Sequence, residues 1–99
     1  MDKDIIPEPI EFEWNKGNID KNLKKHGLRN EEAEEAFLKK PLVYYDKIHS
    51  KIEKRYDCLG VTDKGKKLFI SFTIRSSKIR IISARQMSKK ERKIYEQEV

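Results

Sequence analysis

Two arginines five positions apart, Arg80 and Arg85, flank the mostly apolar run Ile81-Ile82-Ser83-Ala84. A guanidinium is a planar fork of donors that fits phosphate oxygens, and two or three of them stabilise the extra charge of a pentacoordinate phosphorus. Arg55 and Arg75, from neighbouring segments, are candidates for the same cluster. The competing reading pairs all four as ordinary sheet-edge arginines with Glu53, Asp57 or Asp63. Strand geometry sets a condition on the first reading. Residues 80 and 85 have opposite parity, so they share a face only if the strand bulges between them or ends before Arg85.

His26 and His49 are the two imidazoles, each a candidate proton carrier near neutral pH. His26 falls on the semi-apolar stripe of a helix beside Gly27, which favours a packed structural role. His49 lies in a polar stretch before Glu53 and Arg55, the better setting for a general acid or base. Tyr44, Tyr45, Tyr56 and Tyr95 are candidates for base stacking or for amphipathic core edges. The sequence has no Cys/His metal spacing, no Gly-rich phosphate loop and no nucleophile elbow. Asp46, Glu53, Asp57 and Asp63 form no obvious two-metal carboxylate set. Phosphodiester cleavage by these residues would therefore proceed with no metal or other cofactor, using the 2′-hydroxyl of RNA as nucleophile. DNA lacks that hydroxyl.

Charge distribution agrees with a polyanionic partner. The 99 residues carry +6 in all, yet the first thirteen hold five acids against one Lys, and residues 39–93 hold 17 basic against 5 acidic side chains. Like charge at that density repels itself unless an anion arrives. Cys58, the single cysteine, lies in a strand-like run and reads as a core thiol in a reduced compartment. The N-terminus has neither the basic nor the apolar region of a secretory signal, and no run approaches the ~20 apolar residues of a membrane span. The expectation is a cytoplasmic protein.

These side chains need a scaffold. With 36% apolar and 40% charged residues, the chain allows one thin core and chemistry only in a surface groove. Residues 1–9, with Pro7 and Pro9, read as a flexible acidic tail, and 10–99 as a single domain. Ile10-Glu11-Phe12-Glu13-Trp14 alternates as a short first strand with Trp14 as a core anchor. Asn18 can cap a helix bearing Ile19, Asn22, Leu23 and His26, stopped by Gly27. A second helix starts near Asn30, turns Ala33, Ala36 and Phe37 inward and ends before Pro41. From there the period is two-fold: a run at Val43-Tyr44-Tyr45, strands over 55–62, 67–75 and 79–86, and turns at 63–66 and 76–78. Ser88 and Glu91 match a capping box for a last helix that seats Ile94 on the sheet. The fold class is α+β: a short N-terminal strand and two helices, then a twisted antiparallel sheet and a C-terminal helix.

The ordered set of segments resembles the BrnT toxin family of type II toxin-antitoxin modules. The matching pieces are Phe12-Glu13-Trp14-Asn15, Asn22-Leu23-Lys24-Lys25-His26-Gly27, Glu32-Ala33 through Phe37, Asp46, His49-Ser50 and Glu53-Lys54-Arg55-Tyr56. Gly60, Ile79 through Arg85, Glu91-Arg92 and Tyr95 complete them. The resemblance implies a RelE-like fold and a metal-independent endoribonuclease that arrests translation. It also implies a BrnA-like ribbon-helix-helix antitoxin, through which operator DNA would be bound. Lys25, His26, His49, Glu53, Arg55, Arg80 and Arg85 fall on the family's motif positions. Two departures stand out: Asn15 where an acid is usual, and Gln86 where a second Arg is frequent.

The expected catalytic set is His49, Glu53, Arg55, Arg80, Arg85 and Tyr95, with Arg55, Arg80 and Arg85 on the phosphate and His49 or Tyr95 moving protons. Lys25, His26, Lys54 and Arg75 are expected to bind RNA. Two alternatives remain open at this point: a non-catalytic nucleic-acid-binding module, or an interaction domain whose basic face docks an acidic partner.

Overall fold

A computed structural model describes residues 5–99. Its centre is the alternating segment Lys67–Arg75, which forms β3 and sends Leu68, Ile70 and Phe72 into full burial on one side. β2 (Tyr56–Val61) precedes it across a turn in which Gly65 takes φ 88°, a conformation open to glycine at no steric cost. β4 (Lys78–Gln86) follows across Ser76 and Ser77, at φ 50° and 62°. Two successive left-handed residues are what a tight two-residue hairpin requires. β1 (Leu42–Tyr45) completes a four-stranded antiparallel sheet in the order β1-β2-β3-β4.

Helices cover the two faces unequally. α1 (Lys21–His26) and α2 (Asn30–Glu35) are single short helices, separated by Gly27 at φ 68°. Leu28, Ala33, Ala36 and Phe37 bury themselves against Val43, Cys58, Ile70, Phe72, Ile79 and Ile81. Phe37 stands edge-on to both Phe72 and Phe12, with ring centroids 5.0 and 5.6 Å apart. Cys58 is fully enclosed there, and burial pushes its thiol far above the ordinary range, as a core thiol should behave. On the opposite face α3 (Lys89–Glu98) covers only one end of the sheet, burying Tyr95 and Met87 over Leu42 and Leu59. The Ser88–Glu91 capping box that starts α3 is present in both directions. The other end of that face is left polar.

Several expectations change. Residues 10–14 form no strand of the sheet. Phe12 makes an isolated parallel bridge to Ile79, held by Glu13 N–H to the Ile79 carbonyl and Ile79 N–H to the Glu11 carbonyl, both 2.8 Å. The chain turns away at Asn15, so the pairing goes no further. Asn18 is not the cap of α1. It is 3% exposed, and its amide donates to the carbonyls of Glu13 and Ile81. Asn22, also buried, accepts from the Ala84 N–H at 2.9 Å. These two asparagines satisfy the outer edge of β4, which no strand pairs at this point. Ile19 and His26 are exposed, so of the expected stripe Asn22 turns inward and these two do not, and the packed role for His26 does not hold; the side chain of Leu23 lies outside the described residues. Tyr95, not Ile94, is the residue of α3 seated on the sheet. Ile5 and Ile6 pack partly against the core, while residues 1–4 of the expected tail lie outside the described residues. No helix of the described residues is long and apolar enough to cross a membrane.

Candidate active site

The condition on Arg80 and Arg85 is met by a bulge. β4 pairs with β3 in one register at Ser71↔Ser83 and in another at Phe72↔Ile81, so Ile82 is the extra residue. One inserted residue reverses the parity of everything beyond it. Arg80 is then opposite Thr73 and Arg85 opposite Phe69, two β3 residues of the same parity. Both arginines therefore stand on the polar, α3-side face of the sheet.

The same face gathers most of the other candidates. The connection 46–55 folds over the far end of the sheet and is closed internally. Asp46 N–H donates to the Arg55 carbonyl at 2.9 Å. The Ser50 hydroxyl donates to the Asp46 carbonyl at 2.6 Å and accepts the Arg55 N–H at 2.9 Å. The Thr73 hydroxyl ties it to β3 through the Lys54 carbonyl at 2.7 Å. A surface groove is lined there by Ile48, His49, Lys51, Ile52, Glu53 and Arg55.

Within this groove His49 is held from behind. Its ring Nδ1 lies 2.9 and 3.0 Å from the two carboxylate oxygens of Asp46, and its backbone N–H donates to Asp46 as well. Burial pushes the Asp46 carboxyl up, but the hydrogen bonds and charge of His49 and a contact from Asp57 outweigh it, leaving the group below its ordinary value. An ionised carboxylate only accepts, so Nδ1 carries the proton and the other ring nitrogen, Nε2, is the one left to exchange protons. With its side chain 62% exposed, His49 is accessible to a ligand in the groove.

The arginines are less free than the sequence suggests. Arg75 grips Glu53 with two hydrogen bonds, of 2.6 and 3.0 Å. Those bonds, opposed by burial and assisted by the charges of Arg75, Arg80 and Arg55, hold the Glu53 carboxyl below its usual range. Arg80, mostly buried, reaches Glu13 at 3.2 Å and Asn18 at 3.4 Å. Arg85 forms a two-pronged pair with Glu91 at 2.8 and 2.9 Å and lies 4.3 Å over the Phe69 ring. Arg55 makes no ion pair among the described residues. The sheet-edge reading of the arginines and the phosphate reading thus both have a footing. Carboxylates already occupy three of the four, and Arg55 beside His49 is open.

The remaining candidates are dispersed. Tyr95 belongs to the core under α3, where its hydroxyl donates to the Lys40 carbonyl at 3.2 Å, and this packing removes it from the groove. Lys54 is exposed on the rim of the connection. Lys25 and His26 are exposed at the end of α1, beyond the β4 edge. Two carboxylates take on a role toward His49 that their spacing does not suggest. Asp46, a motif position and a rejected metal-site candidate in the sequence, is the partner that orients His49. Asp57 lies beside it, where the Ser71 hydroxyl donates to it at 3.2 Å. The signal for Asp57 was present in its parity with Leu59, but its proximity to Asp46 depends on the β1–β2 register Tyr44↔Asp57.

Fold and site together define a small basic α+β domain whose open groove holds a carboxylate-bound histidine and an arginine that no described carboxylate pairs. The family described as the ribonuclease toxin BrnT of type II toxin-antitoxin systems matches residues 14–91, and the chain belongs to that family. Membership makes it a toxin of the ribonuclease class and implies an antitoxin partner and an RNA target. Comparison with curated proteins gives no match.

Proposed function

We propose that this toxin is a metal-independent endoribonuclease of RelE-like fold that cleaves RNA in the groove under the 46–55 connection. Nε2 of His49 takes the proton of the 2′-hydroxyl or returns one to the leaving 5′-oxygen. Arg55 neutralises the scissile phosphate. Arg80 and Arg85, on the same sheet face, and Glu53 with Arg75 at the groove's edge extend the contact along the strand. Lys25, His26 and Lys54 supply peripheral, salt-sensitive attraction to the backbone. The 2′-hydroxyl attack leaves a 2′,3′-cyclic phosphate and a free 5′-hydroxyl. Cleavage of this kind in the cytoplasm arrests translation. A BrnA-like ribbon-helix-helix antitoxin, rather than the toxin, contacts operator DNA.

The observation that carries this reading is the Asp46–His49 pair facing the groove with Arg55 beside it. Removing a positioned proton carrier costs ~10²–10⁴-fold in rate. Expression of the wild type from a tightly controlled promoter should stop growth and fragment RNA, and the purified protein should cut RNA in excess EDTA. His49→Gln and the Arg80→Ala/Arg85→Ala double variant should both relieve toxicity. Equal growth of all three cultures with intact RNA would sink the proposal.

The paired arginines favour a second reading, in which they are architectural and the basic face docks an acidic antitoxin segment. It predicts tight complex formation that Arg55→Ala weakens while RNA stays uncut.

A further inference from the structure

Asp57 has no task in that mechanism, yet it is placed as if it had one. It is half-buried in the middle of β2, opposite Tyr44 on β1 and Ser71 on β3. The Ser71 hydroxyl donates to one of its oxygens at 3.2 Å. The pairing Tyr44↔Asp57, continued by the Asp46 N–H to the Arg55 carbonyl, puts Asp46 on the same face as Asp57 and diagonally next to it. Asp46 in turn holds Nδ1 of His49 with both oxygens. Ser71, Asp57, Asp46 and His49 thus stand as neighbouring polar groups running from the sheet to the groove.

We propose that Asp57 is a positioning residue for His49, fixing Asp46 beneath the imidazole and setting the proton affinity of the ring. The cleavage consequence rests on the reading of His49 given above; the effect on the ring itself does not.

Two carboxyls on diagonal positions of one sheet face repel when both are ionised, which favours a proton on one of them. Burial and the charge of Asp46 push the Asp57 carboxyl up to about 6, against the donation from Ser71 and the charge of His49. The other titratable groups facing it are Tyr44 from β1 and Arg85 from β4, the latter already held by Glu91 of α3. At pH 5 the pair presents a single negative charge to His49. At pH 7 it presents two. An added negative charge favours the imidazolium, so ionisation of Asp57 makes Nε2 a stronger base in the range where the toxin must act.

The test needs no RNA. Titrate the ring protons of the full-length protein by NMR, with exposed His26 as the internal reference. A unit charge lost at about 6 Å in a near-aqueous dielectric moves a titration by about half a pH unit. Asp57→Asn should therefore lower the His49 midpoint by about that amount and leave His26 in place. Ser71→Ala provides a second, milder perturbation. Loss of its donated hydrogen bond should move the Asp57 inflection, seen through the His49 shifts, to higher pH. A His49 curve that overlays the wild type in both variants overturns the proposal. In the cleavage assay the limb of the pH–rate profile that reports His49 should move with the NMR midpoint. A shifted midpoint without any cleavage by the wild type would support the positioning role and refute the ribonuclease mechanism.

Discussion

Gly60→Ala should be among the most damaging single-methyl additions in this protein. Gly60 lies on β2 opposite Leu68, on the face where the chain leaves α2. A β-carbon at this position would stand 2.1 Å from the carbonyl oxygen of Ala36 and 2.9 Å from both its carbonyl carbon and its β-carbon. Ordinary contact begins near ~3.5 Å, so the end of α2 would have to retreat by more than ~1 Å. No rotamer change can relieve the clash, because the nearest atoms are backbone. The retreat would open the Phe37–Phe72 contact and loosen the packing over Cys58. Overpacking a core typically costs ~1–3 kcal/mol, and a backbone obstacle argues for about 3. At ~4–8 °C per kcal/mol for a domain of this size, the Tm should fall by about 12–24 °C. Thermal and urea unfolding followed by circular dichroism would measure it. Ala36→Gly should not rescue, since it removes the β-carbon contact but leaves the carbonyl oxygen in place. A Gly60→Ala protein within ~0.5 kcal/mol of wild type would refute the close approach of α2 and β2.

Asp46→Asn keeps the size of the side chain but not the charge that orients His49, and should lower cleavage by about 10²-fold with little change in KM, read from steady-state kinetics on a short RNA. Asp57→Asn should stabilise the protein at neutral pH. The folded carboxyl is raised from 3.8 to about 6, so stability is fully present below pH ~4 and declines as pH rises through about 6. After discounting for solvent screening of a half-exposed group, the gain at pH 7 is about 1 kcal/mol and vanishes near pH 4, as paired urea titrations should show. Glu91→Ala removes both the return arm of the α3 capping box and the partner of Arg85. It should cost about 1 kcal/mol by denaturation, with the loss concentrated in amide exchange of α3.

How much of this was legible depends on how local each determinant is. β3 was placed residue for residue because its alternation is unbroken, and the α3 start because Ser88 and Glu91 are a self-contained signal. Asn18 was misplaced for the same reason that made it conspicuous. The side chain that caps a helix end serves equally well to satisfy a sheet edge sixty residues away, and only the fold decides. Ile94 and Tyr95 differ by one step around α3, and the choice follows from where Leu42 and Leu59 offer apolar surface. Asp46 and His49 are three residues apart, but no helix or strand period governs a polar connection, so nothing in the sequence marks them as partners; Asp57 is hidden differently, behind the ten-residue connection between β1 and β2. Nothing in the spacing of Asp46 and Asp57 says that the turn brings them back together.

The strand carrying Arg80 and Arg85 shows how sequence and structure divide the work. Parity alone requires a bulge or an early strand end for joint action, and Ile82 supplies the bulge. Sharing a face is not the same as sharing a phosphate. Glu13 and Glu91 neutralise the two guanidiniums in the free protein, and Glu53 does the same for Arg75. On the proposed mechanism an RNA phosphate must displace a carboxylate to gain either arginine, exchanging one ion pair for another with little net Coulomb energy. Arg55 requires no such exchange. On that mechanism Arg55 and His49 would therefore supply the first contacts with the scissile phosphate. On the same mechanism the paired arginines would contribute only where the strand's geometry lets a phosphate match or exceed the hold of its competitor, single at Arg80 and bidentate at Arg85, which would make them discriminators of RNA shape more than sources of affinity.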